Sequence, residues 1–381
     1  MRGPGRPRAG SGPAGLLAAG RRQARFPAAE EGWHLPAAFR RRHQERPGRA
    51  GVGPAAPRVA RPGGLIVTLL TQLPLPQALA LLANGYLDEA TAAVARLDDA
   101  ADEEALHDTR VALRRLHSLM RAYRDEFATQ VPRKWMKRVR RLARSSNPAR
   151  DAEVQQAWLL RQAPGLTAAQ EEGYRWLLAR TQPAELLDLE DALQHGVARL
   201  ARKLRPYLKR LAATNGAAPL YAAASAGHAE PLCESVMAAL AAVGGVDDAG
   251  GAHAARIQVK RLRYLLTPLR NDGPVCEHAV AVLRLLQDTL GELHDRHVMA
   301  ELLRDSAADA AAAHVRTVFA TAPTRPGAWR PPQMPGLLAL AARNRAVILE
   351  CHEELRQNYL DQLEQAVHRP LQNALAELRG G

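Results

Sequence analysis

The sequence predicts an all-α protein built as two similar halves. The chain of 381 residues is 47% hydrophobic but only 4% aromatic. Ala and Leu dominate its apolar set, which favours helices, because strands want β-branched and aromatic side chains. From about residue 74 onward, apolar residues recur at i, i+3, i+4 and i+7, and no β-hairpin signal interrupts them. The halves come from an internal repeat. HDTRVALRRLHS at 107–118 returns as HAARIQVKRLRY at 253–264. His107, Arg110, Arg114 and Arg115 match His253, Arg256, Lys260 and Arg261, and Val111, Leu113 and Leu116 match Ile257, Val259 and Leu262. His117 matches Arg263 and Arg124 matches Arg270, both pairs basic. A period this long is not a solenoid; it implies duplication of a whole helical unit.

Residues 1–63 are rich in Gly, Pro, Ala and Arg and carry 13 Arg, three Glu and no Lys, so ten of the thirteen excess positive charges lie there. Such a segment buries too little apolar surface to offset its chain entropy, and it is expected to be a disordered tail. One reading makes it a basic arm that attracts polyanions, nucleic acid included. The other makes it a dispensable tail, or a start assigned too far upstream. It lacks the apolar stretch of a signal peptide.

The folded unit is expected over 64–381, with one half at about 74–215 and the other at about 216–378. In the first half, helices are expected at 77–97 and at 102–127. Another follows Pro132 in PRKWMKRVRRLARS, and the next begins near Pro148 and is interrupted by APG at 163–165. A long one covers about 183–212 and bends at Pro206. TNGAAP at 214–219 separates the halves. The second half is expected at 220–243, 250–270, 274–290, 292–318 and 337–378, with a loop at 321–336. RLARSSNPARDAEV (141–154) aligns with LLQDTLGELHDRHV (285–298), so Asn147 and Gly291 are each expected to end a helix. Asp151 and Asp295 would then lie in first turns. The result is two antiparallel bundles of four or more helices each.

On a wheel of about 3.6 residues per turn, the four basic positions of each repeat share one face, and Leu113 and Leu116 fall on the other side. Each basic helix therefore has a core face and a cationic face. A solvated face normally mixes signs. Here 107–124 holds five Arg and one acid, and 253–270 holds five cations and no acid. Residues 133–144 hold seven cations and 199–210 hold six, again with no acid. The pattern points to an anion site. Cations spread over several helices suit an extended polyanion, Arg suits phosphate oxygens, and the scarcity of interleaved aromatics argues against stacking on a single strand.

The two H-x-x-R-[VI]-x-[VL]-[RK]-R-L stretches, with ARD at 149–151 and LGELHD at 290–295, resemble the CHAD domain, the conserved-histidine α-helical domain, over about residues 75–378. The resemblance implies two four-helix bundles related by a pseudo-twofold, inorganic polyphosphate as the ligand, a basic groove between the halves, and association with polyphosphate granules. Carried over by position, it implies binding by His107, Arg110, Arg114, Arg115, His253, Arg256, Lys260, Arg261 and Arg263, with Lys137, Arg141 and Arg144 added from the neighbouring basic helix. Ser146-Asn147 stands where the family commonly has Leu-Gly. The E-x-E-x-K signature of the CYTH domain, a frequent companion, does not occur, so the expectation is a CHAD domain standing alone.

Two rival classes stand beside this reading. His107-Asp108 and His294-Asp295 are reminiscent of HD-type metal phosphohydrolases, but the two dipeptides are not equivalent in the repeat, and Glu104-x-x-His107 is the one E-x-x-H available to a di-metal bundle. No P-loop occurs. The expectation is a binding protein, with no cofactor and no metal. A nucleic-acid-binding module is the second rival; the tail favours it, and the near-neutral remainder, only +3, argues against it. Cys233, Cys276 and Cys351 show no paired spacing, and no apolar run approaches the roughly 18 residues of a span, so a cytoplasmic setting is expected. His107 and His253 either bond neighbouring residues or donate to phosphate; the second reading expects tighter binding as pH falls from about 8 to 6.

Overall fold

The computed structural model describes residues 70–380 except 100, 101, 103, 146, 182–186, 215, 216, 271, 272 and 322–329. The tail at 1–63 lies outside the described residues. Among those described, every regular element is helical, apart from an isolated antiparallel bridge between Pro74 and Leu220. The all-α expectation holds.

The first half contains α1 (Leu75–Val94), α2 (Glu104–Ala122), α3 (Arg124–Ala128), α4 (Arg133–Ser145), α5 (Asn147–Gln162), α6 (Ala168–Arg180) and α7 (Leu187–Ala212). The second contains α8 (Tyr221–Ala241), α9 (Ala249–Leu266), α10 (Pro274–Thr321), α11 (Met334–Leu355) and α12 (Arg369–Gly380). Two π-helical turns, Arg356–Leu360 and Glu364–His368, link α11 to α12.

The apolar period dictates the packing. In α1, Leu75, Leu79, Ala83, Leu87, Ala90 and Val94 form one buried stripe against α2 and α7. α4 buries only Val139 and Leu142 and leans on α2 and α7, completing one bundle. α8, α9, α12 and the first part of α10 form the other. Their buried residues belong to one continuous core. The halves join at that core. Leu75 N donates to the Pro219 carbonyl and Tyr221 N to the Leu73 carbonyl, both at 2.9 Å. The two donors of this reciprocal pair, and likewise its two acceptors, are separated by the same sequence interval as the basic motifs. Beneath them, the buried Tyr123 and Ser225 hydroxyls share a 2.6 Å hydrogen bond.

Three expectations need correction. The helix expected over 102–127 stops at Ala122: Tyr123 leaves helical geometry at φ −109°, ψ 47°, and its fully buried ring contacts Tyr221 across the halves. The break expected at Gly291 is absent. α10 runs unbroken for 48 residues, so Asp295 lies mid-helix. A mid-helix glycine costs about 1 kcal/mol, and the burial of Leu286, Leu290 and Leu293 around Gly291 outweighs it. In the first half the corresponding position, residue 146, lies outside the described residues; Asn147 opens α5 instead of ending a helix, and Asp151, the fifth residue of α5, lies just past the first turn.

The third correction is a small second cluster. Trp158 and Leu159 of α5, Tyr174 and Leu177 of α6, Met299 and Leu303 of α10, and Leu337 and Leu340 of α11 pack together. Helices of both halves meet in it, so the chain division near 215 is not a packing boundary there. The expected break at APG is realised, with Gly165 at φ +77°. Arg343 of α11 closes it by donating to the carbonyls of Gln162, Pro164 and Gly165, groups that a helix end leaves unpaired.

Candidate functional site

The two basic helices, α2 and α9, touch across the halves. Their apolar residues are buried as the wheel requires: Leu113, Leu116, Val259 and Leu262 are each at most 1% exposed. The cations at offset +3 are buried too. Arg110 is 8% exposed and Arg256 4%, as is Lys260 at 7%. The wheel alone puts all three on an open cationic face. For Arg110 and Arg256 the difference arises because position +3 lies beside the core-facing +6 position of Leu113 and Val259 on the wheel, and the packed neighbouring helices cover it.

Two clefts flank this junction. The first, about 310 Å³, is lined by Arg114, His117 and Arg121 of α2, Arg144 of α4, His228 of α8, and Lys260 and Arg261 of α9, among others, and no carboxylate is in its described lining. The second, about 420 Å³, is lined by His107, Arg115, Arg263, Arg270 and Arg284, with Glu277 and Asp288. Arg114 and Tyr264 line both, so the two clefts are neighbours that share these side chains. Local bonds set the directions of several cations. Arg115 reaches Glu89 at 3.1 Å, Arg261 reaches Gln258 at 3.1 Å, and Arg263 donates from Nε to Gln287 at 2.7 Å.

A further set of charged and titratable groups, buried or half-buried, lines neither cleft. Glu153 of α5 sits 3.2 Å from Arg150 and 3.7 Å from Arg110. Burial brings the Arg110 guanidinium down to about 10. On the other side, the His253 and His294 rings lie 4.5 Å apart, Nδ1 to Nδ1 at 3.3 Å. Burial, then the charges of Arg256 and His253, push His294 down to about 3. Burial pushes Asp295 up to about 7, against the pull of Arg256, and the charges of Glu292 and Asp151 add to the rise.

These shifts oppose each other in stability. Between about 3 and 6.5 the unfolded state holds a proton on His294 that the folded state refuses, so stability rises with pH. Between about 4 and 7 the folded state holds a proton on Asp295 that the unfolded state has lost, so stability falls with pH. Each slope reaches at most about 1.4 kcal/mol per pH unit. Asp295→Asn should therefore unmask a stability that climbs from pH 4 to 6.5, and His294→Gln one that declines. Urea unfolding across that range measures both; profiles parallel to the wild type would refute the assignment.

The family model for the CHAD domain matches residues 83–304. The chain belongs to the CHAD domain family. Its fold is also similar to the crystal structure of the CHAD domain from the plant Ricinus communis, at 21% identity and a TM-score of 0.53, covering 78% of this chain and 93% of that one. No curated protein matches the chain.

Within this CHAD domain, the positions singled out by sequence separate into groups. His107, Arg114, Arg115, Arg144, Lys260, Arg261 and Arg263 line the clefts. Arg110, His253 and Arg256 line neither, and the two arginines are buried. Lys137 and Arg141 are exposed on α4 and line neither cleft, and the same holds for the basic face at 199–210. The expected binding set omits His117, Arg121, His228, Arg270 and Arg284, all of which line the clefts; His117 and Arg270 appear in the sequence only as basic matches in the repeat. Arg121 was within reach, one turn beyond His117 on the same helix; nothing local marks His228 or Arg284. Burial, ahead of the charges around it, holds His107 below the ordinary imidazole range, so in the unliganded fold burial disfavours its charged form. Among the described residues no three His, Cys, Asp or Glu side chains stand together as a metal site, and no helix is long and apolar enough to cross a membrane.

Proposed function

We propose that this CHAD domain binds inorganic polyphosphate along the two clefts that meet at Arg114, and that it acts by binding, with no chemical step assigned to its residues. The carrying observation is the first cleft, where cations from α2, α4 and α9 converge with no carboxylate in the described lining. Several planar guanidiniums on one path suit a chain of phosphates better than a single anion. The reciprocal backbone pair at Leu75 and Tyr221 supports a pseudo-twofold arrangement in which each half offers its basic helix to the same ligand. Association with polyphosphate granules follows from this reading.

Binding of this kind releases condensed counterions and weakens steeply with salt. Chains that span both clefts should bind more tightly than chains that reach one, because the second engagement is intramolecular. The test is a titration of the full chain with polyphosphates of increasing length, followed by competition with duplex DNA. The expected result is affinity that climbs with length and long-chain polyphosphate displacing DNA at equal phosphate concentration. DNA outcompeting polyphosphate would move the function to nucleic acid, and metal-dependent release of phosphate would move it to catalysis.

A further inference from the structure

The first cleft has a carbon floor that a polyphosphate chain does not use. Between its cations lie Ala143 of α4, Pro231 and Leu232 of α8, and Ile257 and the Tyr264 ring of α9. Polyphosphate presents charged oxygens on every side, and setting these against carbon gains nothing. The second cleft is different: Glu277, Asp288 and Gln287 stand among its arginines. A hollow whose lining combines apolar side chains with cations and no described carboxylate matches a molecule with an apolar body and a phosphate tail.

We propose that the first cleft is a site for a nucleoside polyphosphate. This rests on the reading of the groove as a phosphate site and names a second ligand class for it. The base and sugar would lie on Leu232, Ile257 and Ala143, with the phosphates running toward Arg114, Arg144 and Arg261. Small-molecule sites run from roughly 300 to 1,000 Å³; at about 310 Å³ the cleft accepts one compact body while the tail extends along the groove. Polar edges are present for a base: Ser118, and His228, whose Nε2 is held 2.9 Å from Glu126. The lack of interleaved aromatics in the sequence argues against stacking along a single strand; it does not bear on one enclosed site walled by aliphatic carbon.

The test compares ATP, tripolyphosphate and long-chain polyphosphate on the full chain at one salt concentration without metal. Tripolyphosphate carries at least as much charge as ATP but has no body, so charge alone gives ATP no advantage. We expect ATP to bind at least about tenfold tighter than tripolyphosphate, the worth of burying a small apolar body. Leu232→Ala with Ile257→Ala should erase that ratio and leave long-chain polyphosphate affinity within about twofold. ATP binding no tighter than tripolyphosphate, with long-chain polyphosphate still bound, would overturn the nucleotide site and spare the polyphosphate reading. ATP preference without polyphosphate binding would do the reverse, and binding of neither would sink both. Should the double variant lose helicity, the wild-type ratio alone decides.

Discussion

Changing Arg114, Arg144, Arg261 and Arg263 to Ala together should weaken long-chain polyphosphate binding about a thousandfold. These four side chains line the two clefts and come from three helices. All are at least partly exposed, so the fold should survive their loss. A hydrogen bond to a charged group contributes about 1.5–3 kcal/mol; discounted to about 1 kcal/mol each for solvent screening, four give about 4 kcal/mol, or three decades in affinity. Arg110, Arg256 and Lys260 are the wrong residues for this experiment, because they are buried and their loss would confound binding with stability. The control removes as much charge elsewhere: Arg199, Arg202, Lys203 and Arg210, exposed on α7 and lining neither cleft. That variant should lose less than about tenfold, through the long-range field alone. Equal losses in both variants would mean that charge counts and place does not.

The second large effect is on stability and lies far from the clefts. α6 and α11 cross at Gly173 and Gly336. A Cβ on Gly336 would meet the Gln170 carbonyl oxygen at 2.2 Å and the Gly173 Cα at 2.8 Å; one on Gly173 would meet the Gln333 oxygen at 2.1 Å. These obstacles are backbone, which cannot swing aside as a side chain can. Only glycine permits so close an approach. Gly336→Ala should therefore separate the helices and loosen the cluster of Trp158, Tyr174, Leu303 and Leu340, at a cost of about 3 kcal/mol, the upper range for overpacking. Hydrogen exchange should rise in α6 and α11 first, and polyphosphate affinity should hold within about twofold because no cleft residue moves. Wild-type stability in Gly336→Ala would show that the helices do not meet there.

The contrast between these experiments follows from what a sequence can and cannot carry. The matched offsets of the two motifs put Leu113 with Val259 and Leu116 with Leu262, and all four are core residues. The two motifs, together with the basic helix that carries Arg144, also marked seven of the residues that line the clefts, because charge of one sign on one helix face is a local pattern. Local pattern says nothing of what covers that face. Arg110 and Arg256 share the angular position that neighbouring helices bury, and only the packing shows it. Lys137 and Arg141 share a charged helix with Arg144 but lie outside the clefts. Gly291 carries a break signal that Leu286, Leu290 and Leu293 override through tertiary burial. The second cluster joins α5 and α6 to α10 and α11, elements far apart in the chain, and no periodicity reports on such a pairing.

The central claim is that polyphosphate pairs with the side chains around Arg114. Its most direct test is the salt dependence of binding in the wild type and in the four-arginine cleft variant. For a flexible polyanion, the logarithm of the binding constant falls with the logarithm of salt concentration by about 0.7 per phosphate neutralised. The cleft variant should therefore show a slope shallower by about 3 than the wild type. A weakened variant whose slope is unchanged would contradict the account, because its arginines would then have supported the fold and not met the phosphates.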